Sequence, residues 1–384
     1  MLNEENHSGA GLARPLVHGI RRRELLKGGA GLAVAAGLAG CGVGSGSEGS
    51  KEETQRKVKA KVDGDLVYFN WAEYLDPELI KDFEQKYGVT VRQSNFDSMA
   101  SMFAKLRAGN RYDVIFPDQS ATPRLIAQNQ LLRLDHDQLK NYDQVFEFFH
   151  DPVYDSGSAH TVPYGMYATG IIWRDDKVSG MTGSWDDLFR EDAEGKIYVL
   201  DDFQEAIGMS NYKNGFELNS YEEDELEQSK QTLIDQKPLL RGYSTDDVQN
   251  MLNGNAWIHH GWNGDVVNVR NQADDPSIYK FEKCKEGIPV GNDTMAIPVN
   301  AEHPGTAMLF IDFMLDPENA ARNVAYFGYP MPNHGAVEAF NKLANDDPAI
   351  TVTLEDLENG DQFEPMTGER RRAWDRVWTE VKAA

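Results

Sequence analysis

The segment from residue 66 to residue 130 alternates between strand and helix patterns. This alternation of predicted elements limits the fold more than any other feature of the chain. Residues 66–69 are apolar and aromatic, as in a buried strand, and apolar residues then recur at helical spacing from Leu79 to Tyr87. Two more strand and helix pairs follow by residue 130. This alternation predicts an α/β fold, with a parallel sheet and right-handed helical connections.

The loop between the first strand and the first helix carries two aromatic side chains around one carboxylate. Loops at the carboxyl ends of strands are where open α/β sheets bind ligands. Trp71 and Tyr74 could cover methylene groups and attract an ammonium, and Glu73 could neutralise its charge. The loop is therefore a candidate site for an organic cation. The alternative is a surface loop whose rings only pack on the helix.

The charge balance is strongly acidic, with 62 Asp and Glu against 38 Lys and Arg and a formal net charge of −24. This excess argues against nucleic acid or an anionic membrane surface as a partner, and it weakly favours cationic ligands. It is also typical of proteins that work in concentrated salt, so we expect most individual carboxylates to be solvated surface groups.

The first 40 residues have the features of an export signal. A basic segment, Arg-Arg-Arg-Glu-Leu-Leu-Lys, precedes a run over residues 28–40 that is too short and too rich in Gly and Ala for a transmembrane helix. The basic segment resembles a twin-arginine motif, and residues 38–41 resemble a lipoprotein cleavage box. These resemblances imply export, cleavage before Cys41 and lipid attachment there, on the outer face of the cell membrane. Residues 41–63 then form a flexible polar linker.

The sequence gives little support for a metal site, a cofactor site or a catalytic nucleophile. Cys284 is the only cysteine besides Cys41, which leaves no internal disulfide, and it has no His at ligand spacing. His259 and His260 are adjacent, but consecutive residues on a strand point to opposite faces. The chain lacks the nucleophile motif of acyl transfer and the Lys-Ser/Thr of a phosphate-binding loop. We predict no metal site, no cofactor and no catalysed reaction.

The alternation of strand and helix patterns ends near residue 163. There an extended run that contains glycines predicts a crossing into a second lobe. In this second block, acids and aromatics again follow strands, and residues 261–265 are predicted to form a turn. A later extended segment and two helices return the chain to the first lobe. We predict one lobe from residues 64–167 and 293–337, and the other from 168–292 and 338–384.

Six short blocks make the chain, from about residue 65 to its end, resemble the spermidine/putrescine-binding proteins of ABC transporters. These blocks occur in the family's order and at similar separations, at residues 70–74, 185–188, 202–205, 262–265, 293–298 and 328–333. The resemblance implies a two-lobed receptor of the type II periplasmic-binding-protein class, whose hinge-linked lobes close over a central ligand cleft. It also implies an ABC permease as partner. We expect a monomer.

The resemblance also assigns ligand-binding roles to residues of both lobes. They are Trp71, Glu73, Tyr74, Asp118, Ser120, Asp202, Glu205, Trp262, Asp265, Asp293 and Tyr329. A polyamine carries at least two ammonium charges, and each needs carboxylates around it when buried. The acid at position 265, three residues after a tryptophan as in putrescine-type members, favours a diamine.

Two departures change the expected site. Gly291 stands where the family usually has an aromatic residue, and Asp118 and Ser120 stand where many members have Ser and Tyr. The site is therefore expected to lose rings and to gain a carboxylate. Several assigned residues also have alternative roles: Trp262 and Tyr329 could be core residues, and Asp202 could cap a helix that begins at the next residue. Asp265 and Asp293 could instead be structural or solvated.

Three other functions stay open at this point. The first is a receptor for another organic cation or a small amine. The second is a membrane-tethered hydrolase that uses two of the acids, which would require a carboxylate pair at fixed separation. The third is a ligand-presenting partner of a sensor.

Overall fold

The computed structural model describes residues 54–56, 58–72, 74–96, 98–366 and 368–384. The predicted signal segment, Cys41, the first part of the predicted linker and Glu73 lie outside the described residues.

The predicted strand and helix alternation is confirmed at the start of the fold. The elements are β1 (Leu66–Trp71), α1 (Pro77–Tyr87), β2 (Val91–Phe96), α2 (Met99–Arg107), β3 (Val114–Ile115) and α3 (Thr122–Ala127). Strand β1 lies between β2 and β3 and runs parallel to both. Helix α1 begins with Asp76 as its cap and ends at Gly88, whose φ of 67° suits a left-handed cap.

A single long strand, β4 (Thr161–Arg174), crosses the sheet where the crossing was predicted. Its first part pairs with the antiparallel strand β9 (Val290–Ala296), and its second part with the antiparallel strands β7 (Ile258–Trp262) and β8 (Tyr279–Glu282). The register shifts between Pro163 and Met166, where proline has no N–H to donate to the ladder. With β5 (Ile197–Val199) and β6 (Leu240–Tyr243), the strand order is β2-β1-β3-β9-β4-β7-β5-β6.

Nine more α-helices follow in the described part of the chain. They are α4 (Phe203–Lys213), α5 (Glu223–Gln236), α6 (Asp247–Leu252), α7 (Asn263–Gln272), α8 (Pro304–Leu315), α9 (Pro317–Phe327), α10 (Val337–Leu343), α11 (Leu354–Asn359) and α12 (Gly368–Ala383). The turn predicted at residues 261–265 is wrong, because β7 continues to Trp262 and residues 263–265 form the first turn of α7.

The strand β4 contributes to two separate hydrophobic cores. Ile172 belongs to the core that contains Leu66 and Phe310, whereas the adjacent Ile171 belongs to the core that contains Trp185 and Trp374. Successive side chains on a strand point to opposite faces, so one strand can serve both. The predicted lobe boundaries, which place residues 64–167 and 293–337 in one lobe, stay a prediction.

No helix within the described ranges combines the length and the apolar character that crossing a bilayer requires.

Candidate functional site

Asp293 lies in the middle of β9 and is only 5% exposed. Its Oδ2 accepts a hydrogen bond of 2.6 Å from the hydroxyl of Tyr74, so the loop after β1 reaches the central strand β9. Burial raises the pKa of Asp293 to about 7, and the nearby Asp118 carboxylate adds to the rise. Burial and Asp293 also raise the pKa of Tyr74, which keeps its hydroxyl protonated.

Asp118 and Ser120 form the turn between β3 and α3. Oδ1 of Asp118 accepts hydrogen bonds from the Ser120 hydroxyl at 2.9 Å and from the backbone N–H of Ala121 at 2.6 Å. Residue 118 also forms a backbone bridge with Asp293. The Ser120 hydroxyl lies 3.4 Å from Oε1 of Gln204, so this turn reaches the first turn of α4. Despite these hydrogen bonds, burial raises the pKa of Asp118.

Asp202 caps helix α4, as its alternative role anticipated. Its Oδ1 accepts from the backbone N–H groups of Gln204 at 2.8 Å and Glu205 at 3.1 Å. Burial nevertheless raises its pKa. The cap leaves Asp202 beside Glu205, whose pKa responds to the Asp202 charge.

Glu205 is 4% exposed and is held by one oxygen. Its Oε1 accepts from the Thr169 hydroxyl of β4 at 3.1 Å and from the indole N–H of Trp262 at 3.0 Å. Its Oε2 is buried and has no hydrogen-bond partner among the described residues. Burial and then the Asp202 charge raise the pKa of Glu205 to about 8.

Asp265 lies in the first turn of α7 and is buried, which excludes a solvated surface role. It contacts Asp247, the first residue of α6, and the hydroxyl of Tyr329. Burial and the Asp265 charge raise the pKa of Asp247 well above its ordinary value, and burial also raises the pKa of Asp265. The Tyr329 ring packs on Gly264 and beside Tyr74, with ring centres 5.9 Å apart. Sequence reasoning missed Asp247, since no motif marks it.

Trp71 lies at the end of β1, and its ring packs edge-on against Phe96 with ring centres 4.6 Å apart. Its indole nitrogen is buried without a hydrogen-bond partner in the described part of the chain. Its neighbour Glu73 is among the residues outside that part, so one predicted carboxylate of this loop has no structural account.

Tyr167 was not predicted, and its ring fills the space beside Gly291. The two residues are direct partners across β4 and β9, and a Cβ atom added to Gly291 would collide with the Tyr167 ring. The absence of an aromatic side chain at residue 291 therefore leaves no empty space in the site, since the Tyr167 ring fills it. Burial raises the pKa of Tyr167. Four nearby acids raise it further through their charges, namely Glu205, Asp118, Asp293 and Asp202.

The acids of the site lack basic partners. They are Asp118, Asp202, Glu205, Asp247, Asp265 and Asp293, and in the described ranges none of them forms an ion pair with Lys, Arg or His. Arg371 lowers the pKa of Asp202 only from beyond ion-pair distance. Charged carboxylates that are buried without cations are costly. The arrangement therefore favours arrival of a cation, with the rings of Tyr74, Tyr167, Trp262 and Tyr329 beside it.

The described residues contain no group of three or more His, Cys, Asp and Glu side chains that could hold a metal ion. His259 stacks on Tyr198, whereas His260 faces Trp185, so the two rings lie in different surroundings. Burial lowers the pKa of His259 to about 4 and that of His260 to about 3, which keeps both neutral. Cys284 is a buried free thiol whose pKa is raised by burial.

Comparison with known proteins decides the family. The sequence model of the family described as "bacterial extracellular solute-binding protein" matches residues 78–352. The chain belongs to this family. As an extracellular solute-binding protein, it is a binding protein rather than an enzyme, which confirms the prediction made from the sequence.

Among its curated relatives is a putrescine/cadaverine-binding protein of Pseudomonas aeruginosa, 28% identical over 332 residues, which cover 83% of this chain and 93% of the relative. The spermidine/putrescine-binding periplasmic protein of Escherichia coli is 26% identical over 322 residues, covering 83% of this chain and 91% of that protein. Both alignments extend through nearly all of the relatives.

Solved structures share the fold of this solute-binding protein. The TpPotD lipoprotein of Treponema pallidum matches with a TM-score of 0.74 and 26% identity, over 82% of this chain and 98% of that one. The PotD substrate-binding protein of Streptococcus pneumoniae matches with a TM-score of 0.73 and 24% identity, over 84% and 99% of the two chains. The predicted two-lobed type II α/β fold is confirmed.

Proposed function

We propose that this solute-binding protein captures a linear polyamine, with a diamine such as putrescine favoured, and delivers it to an ABC permease. The observation that carries the proposal is the pair Glu205 and Asp293, two buried carboxylates of raised pKa without basic partners in the described structure. Relatives named for putrescine with cadaverine, and for putrescine with agmatine, are each 28% identical to this chain, which supports the same ligand class.

The positions of the two carboxylates along β4 favour a ligand with two ammonium groups over a compact cation. Glu205 binds the Thr169 hydroxyl. Gly165 lies close to the Tyr74 hydroxyl, which donates a hydrogen bond to Asp293. A Cβ atom built on Gly165 would lie 3.3 Å from that hydroxyl. The two carboxylates are therefore held near different positions of β4, one beside residue 165 and the other beside residue 169. A single ammonium would leave one carboxylate unpaired, whereas two ammonium groups joined by methylenes would pair with both.

Binding of such a ligand would stabilise the closed form of the receptor. Asp293 and Tyr74 belong to the predicted first lobe, and Glu205 and Trp262 to the predicted second. Contacts with both lobes are complete only when the cleft is closed, so the ligand shifts the population toward that form. A permease would then recognise the closed shape.

We also propose that the mature protein is a monomer tethered through lipid on Cys41 after twin-arginine export. The support is the arrangement of the basic segment, the apolar run and Cys41. The substitution Cys41→Ser is expected to move the protein from the membrane fraction of cells to the medium. Retention in the membrane fraction would contradict the anchor.

A thermal-shift screen of putrescine, cadaverine, spermidine, spermine and glycine betaine, at low and high salt, tests the ligand class. A ligand that binds only the folded state stabilises it by about 2.7 kcal/mol at a hundred times its Kd. We expect a rise in Tm with a diamine and none with betaine. A rise with betaine alone would indicate a receptor for compact cations, and no response to any polyamine would contradict the proposed function.

A further inference from the structure

We propose that Tyr167 is a ligand-contacting residue, and that its ring forms the central wall along which the methylene chain of the amine lies. The inference rests on the proposed function and adds a specificity-determining residue to it.

The ring is central because of its position on β4. Tyr167 and Thr169 are two positions apart and point to the same face of the strand, and Gly165 precedes them within the register shift between Pro163 and Met166. Gly165 lies beside the Tyr74 hydroxyl that binds Asp293, and Thr169 binds Glu205. Tyr167 lies between these two acidic ends, where the uncharged middle of a diamine would lie.

Gly291 makes room for this ring. Residues that are direct partners on neighbouring strands project from the same face, with Cβ atoms about 5 Å apart. Here the Tyr167 ring lies over Gly291 and occupies the space of its missing side chain, so that a Cβ at residue 291 would collide with the ring in this position. The glycine has no left-handed backbone angle, and the atoms closest to its missing side chain are those of the Tyr167 ring, so residue 291 is small where the ring lies.

The surroundings of the ring fit a ligand contact better than a core role. Its edge faces the indole of Trp262, with ring centres 6.4 Å apart and planes at 70°. Its hydroxyl has four carboxylates as electrostatic neighbours and takes part in none of the hydrogen bonds found among the described residues. Aromatic faces pack on methylenes and attract ammonium groups, so the ring can serve the middle of the ligand while the acids bind its ends.

Titration calorimetry of putrescine with the purified protein and four variants tests the inference. Tyr167→Phe keeps the ring and should stay within about threefold of wild-type affinity, whereas Tyr167→Ala should lose about tenfold or more. Gly291→Trp should also weaken binding, because its ring collides with that of Tyr167. The double variant Tyr167→Ala/Gly291→Trp moves the ring across the strand pair and should bind more tightly than either single variant.

Tyr221→Ala is the control, since Tyr221 is exposed. Each variant's Tm without ligand reports whether it folds. If Tyr167→Ala is poorly folded, Tyr167→Leu, which keeps apolar volume without a flat ring, replaces it and should show the same loss.

The results separate this inference from the proposed function. Wild-type affinity in Tyr167→Ala, equal losses in the Phe and Ala variants, or a double variant no better than the worse single one would each overturn the role of the ring while leaving polyamine binding intact. Absence of binding by the wild-type protein would overturn the proposed function, and the role of the ring with it.

Discussion

The indole N–H of Trp262 donates a hydrogen bond of 3.0 Å to Oε1 of Glu205, while Oε2 of the same carboxylate is buried without a partner in the described structure. The Thr169 hydroxyl of β4 also donates to Oε1, so donors from two strands, β4 and β7, hold one oxygen and leave the other available. An unpaired buried acceptor is costly unless a ligand completes it. We interpret Oε2 as an acceptor for one ligand ammonium.

The first prediction concerns Glu205→Gln. The amide keeps the shape and the acceptor oxygen for Trp262 but removes the charge, so affinity for putrescine should fall by at least about tenfold. The Tm without ligand should stay unchanged or rise, because a desolvated carboxylate is removed. Calorimetry and a thermal melt measure the two effects. Glu222→Gln makes the same chemical change at an exposed position and should alter neither quantity. A large loss of Tm in Glu205→Gln would show that the acid is structural.

The second prediction concerns the other end of the site. Asp293→Asn should weaken putrescine binding by at least about tenfold, since the second ammonium loses its charged partner. Tyr74→Phe removes only the 2.6 Å hydrogen bond to Asp293 and should weaken binding less, by about threefold to tenfold. Direct titration of both variants gives the order. A larger effect of Tyr74→Phe would contradict the assigned roles.

The third prediction separates the two acids of the Asp247 and Asp265 pair. Because the pKa of Asp247 is raised well above its ordinary value, Asp247→Asn removes little charge and should change putrescine affinity by less than about threefold. Asp265→Asn changes the acid that contacts the Tyr329 hydroxyl and should weaken binding by about tenfold. The two variants differ only in which partner is neutral, so each is the control for the other. Equal effects of the two substitutions would contradict this difference between the two acids.

The fourth prediction is the pH dependence of stability without ligand. The folded-state pKa is about 8 for Glu205 and about 7 for Asp293, above the ordinary carboxyl value of about 4. At any pH between the ordinary and the raised values, the folded state therefore holds more protons than the unfolded state. The stability contributed by these groups is complete below about pH 4 and is lost as the pH rises through about 7 to 8. Thermal melts across this range should show the decline, and Glu205→Gln should show a smaller one.

Affinity should change in the opposite direction. A cationic ligand binds the ionised acids, so binding at neutral pH releases protons, and affinity should increase from about pH 6 to about pH 8.5. Titrations in buffers of different ionisation enthalpy count the protons released. A pH-independent affinity would contradict the raised pKa values as the basis of binding.

Local patterns predicted the early fold correctly because its signals lie close together in the sequence. The repeat of apolar residues, proline at the start of α1 and glycine after it define β1 and α1 without any distant contact. The loop after β1 was placed correctly for the same reason. Its Tyr74 does reach Asp293.

The interior of the site was predicted less completely because it depends on strand register. Tyr167 faces Gly291 only because β4 and β9 pair with a shift after Pro163, across more than a hundred residues of sequence. Asp247 meets Asp265 only because α6 and α7 pack together. A one-residue change of register would turn Tyr167 to the other face, and no local pattern specifies that register.

The most direct test of the account is a calorimetric titration of putrescine into the purified protein at about pH 8 and low salt, with the double variant Glu205→Gln/Asp293→Asn beside it. We predict saturable binding of one putrescine per chain. The double variant should remain folded and lose at least about a hundredfold in affinity, because the effects of two independent substitutions add in free energy. No binding by the wild-type protein, or undiminished binding by the double variant, would contradict the account.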